Sequence, residues 1–264
     1  MPASENSDDD ALYVLTAVVL TPAQFPSVLG DDYPEACAAL GLEPYGAGYG
    51  LVMGQDGDGA RWTVVTNDAS LVACAVAAWD CGMEYDLAID ERTVVVSLPG
   101  WPLAVAVAAP GVPAPHDPEP GREGGETATP PLAPPNTERW GPAQRRLGAD
   151  EIALQWALWR EQVDSDVTFV SPGEKPHGGV RRVLAEARGY LDAPPPLGRV
   201  RSAFASGDAR TLRADGPGWS IVARTDDIAF VPMDDAPGEV LPGGRGPELP
   251  GLLTALDQLA VRPG

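Results

Sequence analysis

The sequence predicts an α+β protein of two mixed units, in which helices pack on mainly antiparallel sheets and a proline-rich linker joins the two. Three observations carry that expectation. Short runs rich in β-branched residues alternate with helical stretches, and Asp-Gly or Gly-Pro turns separate neighbouring runs. Residues 110–137 hold nine prolines and four glycines with almost no large apolar side chains, a composition that cannot offset its ordering entropy by burial. The charge changes across that stretch: residues 1–120 carry 18 acids and two bases, residues 121–264 carry 20 acids and 16 bases. The expected organisation is an acidic disordered tail over 1–10, an acidic α+β unit over 11–109, the linker over 110–137, and a second α+β unit over 138–264.

In the first unit "LYVLTAVVL" reads as a buried strand. The stretch "TPAQFPSVLGDDYPEACAALGL" is interrupted by Pro26 and Pro34, so short helical pieces are expected, ending near Gly41. "YGLVMG" and "ARWTVVT" flank "QDGDG", a hairpin loop. Asp68 suits the N-cap of a helix over "ASLVACAVAAWDCGM", and "YDLAI", "TVVVSL" and "PLAVAVAA" follow as strands. Trp101, between Gly100 and Pro102, is expected to plug a core from a turn.

The second unit opens with "GADEIALQWALWREQV", where Asp150 and Glu151 suit a helix start and Ile152, Trp156, Trp159 and Val163 form a stripe at helical spacing. "VTFV" reads as a short strand, and "GGVRRVLAEARGYL" as a helix that must stop before Pro194-Pro195-Pro196. "RTLRA", "GWSIVAR" and "DIAFVPM" predict a meander, and "ELPGLLTALDQLAV" a closing helix. The stretches "GARWTVVTNDAS" and "GPGWSIVARTDDIAF" look alike, but helix is expected after Asp68 and strand after Asp226-Asp227. They are two hairpins under the same turn chemistry, not a repeat.

A formal charge of −20 disfavours nucleic acid and anionic membranes and favours a basic protein partner. The first ten residues are acidic where a signal peptide needs positive charge, and the apolar run after them is too short for a membrane helix, so a cytoplasmic location is expected. Oligomeric state is left open. Three cysteines, Cys37, Cys74 and Cys81, make no disulfide framework and read as buried thiols.

Catalytic bases are scarce. His116 lies in the linker and His177 in a Gly/Pro loop, so only His177 is a candidate for a triad or a Cys-His pair. No zinc spacing, phosphate loop or dinucleotide fingerprint is present, and no cofactor is expected. The adjacent pairs Asp226-Asp227 and Asp234-Asp235 point in different directions on regular structure and are poor chelates. Two candidate sites remain. The acids Asp31, Asp32, Glu35, Asp56 and Asp58, with Trp156 and Trp159, are candidates for binding the basic partner in an inhibitor, immunity or regulatory role. The loop and helix start over 171–182, with Lys175, His177, Arg181 and Arg182, is the alternative, a site for a phosphate or carboxylate ligand of an enzyme or sensor.

Overall fold

One hairpin of the first half is closed by an aspartate. Asp56 closes the hairpin between Tyr49–Gln55 and Arg61–Thr66: its Oδ1 accepts from the Ala60 amide at 2.9 Å and its Oδ2 from the Trp62 indole N–H at 2.9 Å. Gly59, at φ +86°, supplies the left-handed turn that a side chain would resist. The computed structural model describes residues 13–23, 33–56, 59–70, 72–73, 89–101, 141–166, 177–243 and 247–262. Among these residues five helices and two antiparallel sheets, of four and five strands, make an α+β fold. The chain divides into one unit of residues 1–21 and 39–134 and another of residues 22–38 and 135–264.

The first unit is a meander of β1 (Tyr13–Leu20), β2 (Tyr49–Gln55), β3 (Arg61–Thr66) and β4 (Val94–Pro99), paired in that order. Val72, in a helical stretch after Asp68, packs on Val52 with Val14, Val19, Val64 and Ile89 around it. Trp101 is buried, its indole N–H donating to the Gly54 carbonyl at 3.4 Å, as its place after a tight turn predicted. The rest of the helix expected after Asp68, with Cys74 and Cys81, lies outside the described residues. So do most of "YDLAI", "PLAVAVAA", the linker and "VTFV".

The second unit contains α1 (Tyr33–Ala39) through Ala38, then α2 (Pro142–Leu154), α3 (Trp156–Asp166) and α4 (Gly178–Gly189). A five-stranded meander follows: β5 (Val200–Ser206), β6 (Ala209–Gly216), β7 (Trp219–Arg224), β8 (Ala229–Pro232) and β9 (Val240–Pro242). The closing helix is α5 (Leu249–Leu259). The start expected at Asp150 is corrected: α2 begins eight residues earlier at Pro142, with Gly141 as N-cap, and Asp150 sits inside the helix. Its carboxylate serves Arg213 instead of a helix end. The single helix expected there is also broken at Gln155, whose φ and ψ of −111° and 35° leave the helical region. Strands β5 and β9 add edges that the sequence pattern did not announce.

Strand alternation gives this sheet two different faces. On one, Val200, Leu212, Ile221 and Val231 bury against Val183 and Ala187 of α4 and Leu252, Leu253 and Leu256 of α5. The other face receives α2 and α3. There Val222 and Phe230 pack with Ile152 and Val163, and Trp156 and Trp159 meet the Phe230 ring edge-on at 5.0 and 6.5 Å between centroids. The remainder of that second face is charged.

Candidate functional site

Residues two apart on a strand share a face and an environment, and Arg213 and Asp215 of β6 are such a pair. Both are fully buried, as are Arg145 and Arg146 of α2 and Arg201 of β5. Arg213 Nε donates to Asp215 Oδ1 at 3.1 Å and Arg201 Nη2 to Asp215 Oδ2 at 3.0 Å, while the Ser220 hydroxyl donates to Oδ1 at 2.6 Å. Arg213 also bonds Asp150, Arg146 bonds Glu35 of α1, and Arg199 stands 3.3 Å from that same Glu35 carboxylate. Arg145 pairs with Asp234 at 2.6 Å. Burial by itself raises the Asp215 carboxyl, but the Arg213 and Arg201 guanidiniums and the Ser220 hydroxyl outweigh it. Together they hold it at about 2, below its ordinary 3.8. Burial, with the Arg146 charge next, pushes the Arg145 guanidinium down. Each of these arginines faces a carboxylate of the chain itself, so the cluster ties α1, α2 and the sheet together.

A cavity of about 480 Å³ opens at the N-terminus of α4, lined by His177, Gly178, Gly179, Arg182, Asp235, Ala236, Pro237 and Glu239. His177 is the N-cap: its Nδ1 accepts from the Gly179 amide at 3.2 Å. That bond gives the ring a structural task. A Cβ at Gly179 would stand 2.6 Å from the Met233 methyl, so any side chain there makes the end of Met233 shift. Arg182 reaches Asp235 at 2.9 Å and Glu186 at 3.9 Å. The lining therefore holds one arginine, already paired, with two acids.

Of the residues expected to hold an anion, His177 and Arg182 come together at this cavity. Arg181 is exposed on α4 and does not line it, and Lys175 lies outside the described residues. Of the acids expected to meet a basic partner, Asp31, Asp32 and Asp58 lie outside the described residues. Glu35 is engaged by Arg146 and Arg199, and Asp56 by its own hairpin. Trp156 and Trp159 lie half-buried against Phe230. The paired aspartates diverge as expected: Asp226 bonds Arg224 while Asp227 bonds Arg160, and Asp234 meets Arg145 while Asp235 meets Arg182. Among the described residues no three His, Cys, Asp or Glu side chains gather in a way that could hold a metal ion, and no helix is long and apolar enough to cross a membrane.

No family model matches the chain, and neither the curated proteins nor the solved structures give a significant match. Function has to be argued from the side chains.

The buried arginine cluster is what sequence reasoning missed. Its one local signal is the pair Arg213 and Asp215, two charges on one strand face among apolar neighbours. The other members are up to 199 residues apart along the chain, from Glu35 to Asp234, and only the fold assembles them.

Proposed function

We propose that this chain is a non-enzymatic interaction protein whose acidic first unit binds a basic protein partner, in the manner of an inhibitor or immunity protein. The observation that carries the proposal is the fate of that unit's arginines. Among its described residues there are two. Arg61 is buried with its guanidinium 4.2 Å from the Trp101 ring, and Arg92 is bound to Asp90. The Arg92 hydrogen bonds also hold the Asp90 carboxyl below its usual range. Exposed acids such as Glu43 and Glu91 thus face solvent in a unit whose described cations are already committed, the arrangement that attracts a cationic surface. Capture from native lysate at low salt, eluted by a salt step, tests this. Recovery of one basic protein in near-equal amount is expected, with affinity that falls steeply as salt rises and weakens in the Glu43→Lys/Glu91→Lys variant. Recovery of nothing, or of a partner indifferent to salt, overturns it.

A second reading is favoured by the α4 cavity, whose volume suits a small molecule and whose helix N-terminus suits an anion. It stands second because Asp235 already holds Arg182 and Glu239 adds a further negative charge. Calorimetric titration with inorganic phosphate decides it: heat lost in Arg182→Ala supports this reading, and no heat with the parent protein removes it.

A further inference from the structure

Strands β1 and β2 are antiparallel neighbours, and such pairs are ordinarily joined by about two to five residues. Here the connection runs from residue 21 to residue 48 and carries α1. Residues 22–38 of it belong to the second unit, so the chain leaves the first unit after Thr21 and returns to it at Ala39. The excursion is pinned in both units. In the first, its exit and return stand side by side: a Cβ at Gly48 would stand 2.6 Å from the Leu20 carbonyl oxygen and 2.7 Å from the Thr21 methyl. In the second, Tyr33, Ala36 and Cys37 are buried, and Glu35 is bound by Arg146 and Arg199. Tyr33 rests on Gly198 so closely that a Cβ at Gly198 would stand 2.8 Å from the Tyr33 Cβ. A seven-residue helix is marginal in water by itself, so α1 owes its helix to this seat.

We infer that α1 is a strap that couples the stability of the two units. Pairing β1 with β2 closes a loop from residue 21 to residue 48, and closure costs more the longer the free chain. With α1 in its seat the middle of that loop is already fixed, so β1 and β2 are joined through two shorter pieces. The seat thus stabilises a sheet to which it contributes no strand. Coupling of this kind is reciprocal: whatever binds the first unit and stabilises its sheet also holds α1 against Arg146, Arg199 and Gly198. This holds whichever partner the first unit takes.

The test is hydrogen exchange of the full chain, read by mass spectrometry on peptides from β1 and β2 and from β6 and β7. Tyr33→Ala weakens the seat from the side of the strap, and Gly198→Ala crowds it from the side of the second unit. Each is expected to speed exchange in β1 and β2 by about three- to tenfold, besides loosening the second unit. Glu35→Gln, which keeps the size of the side chain, is the gentler variant should either fail to fold, and it shifts β1 and β2 in the same direction. Leu256→Ala loosens the second unit away from α1; it is expected to speed exchange in β6 and β7 and to leave β1 and β2 unchanged. Unchanged exchange of β1 and β2 in the seat variants overturns the inference, because the first sheet then holds without regard to the seat. So does a Leu256→Ala variant that speeds β1 and β2 as much as Tyr33→Ala, since the coupling then runs through something other than α1.

Discussion

The two faces of the five-stranded sheet are built from the same strands by opposite means. One is mainly apolar, with α4 and α5 laid over Leu212, Ile221 and Val231 and a polar group of Ser202, Arg210 and Asp257 toward its edge. The other is apolar where Ile152, Trp156, Trp159 and Val163 meet Val222 and Phe230, but beside them α2 covers an interior of arginines and aspartates around Asp215. Apolar packing is non-directional and tolerates many arrangements of similar volume. A buried ion network contributes little net stability against its desolvation cost, yet removing one member leaves a charge stranded. The contrast teaches that the first face holds the sheet together, while the second fixes where α1 and α2 sit on it.

The largest effect that can break this comparison is loss of one network charge. Arg213→Met leaves Asp215 and Asp150 short of a partner and is expected to cost about 3–5 kcal/mol in urea unfolding. Adding Asp215→Leu to it restores part of that loss, the signature of an ionic face; a double variant that simply sums the two single losses refutes the assignment. On the apolar face Leu256→Ala is expected to cost about 2–5 kcal/mol by leaving a cavity.

Acid separates the faces further. The Asp215 carboxyl is depressed in the folded protein, so its contribution is complete above about pH 4 and is lost as pH falls toward about 2, amounting to about 2 kcal/mol. Urea midpoints measured from pH 5 downward should show that loss in the parent and in Leu256→Ala alike, and not in Asp215→Asn. Gly179→Ala is the smallest change. Its new methyl meets the mobile end of Met233, so about 1 kcal/mol is expected, and Met233→Ala in the same chain should relieve it.

Much of the apolar architecture could be read from the sequence, because its causes are local. Asp56 and Gly59 announce their own hairpin, the triple proline after Leu191 bounds α4, and the Ile152, Trp156, Trp159 and Val163 stripe lies inward as its spacing requires. Asp150 misled for an instructive reason. An aspartate before an apolar run resembles a cap, and nothing local reveals that its partner is Arg213, 63 residues away. The same limit hid the charged interior. At the α4 end, sequence placed His177 and Arg182 near one another but could not show that a cap bond and Asp235 already occupy them.

The turn after β8 carries a consequence for sequence length. Asp234 bonds Arg145 of the helical layer on one side of the sheet, and Asp235 bonds Arg182 of the layer on the other. Surface loops ordinarily accept insertions at small thermodynamic cost. Here one extra residue between the two aspartates would rotate one carboxylate away from its arginine, whichever layer lost the contact. The turn is exposed and can vary in composition at Pro237, whereas Gly238 holds a φ of +78° that favours glycine and the step from Asp234 to Asp235 serves two helical layers at once.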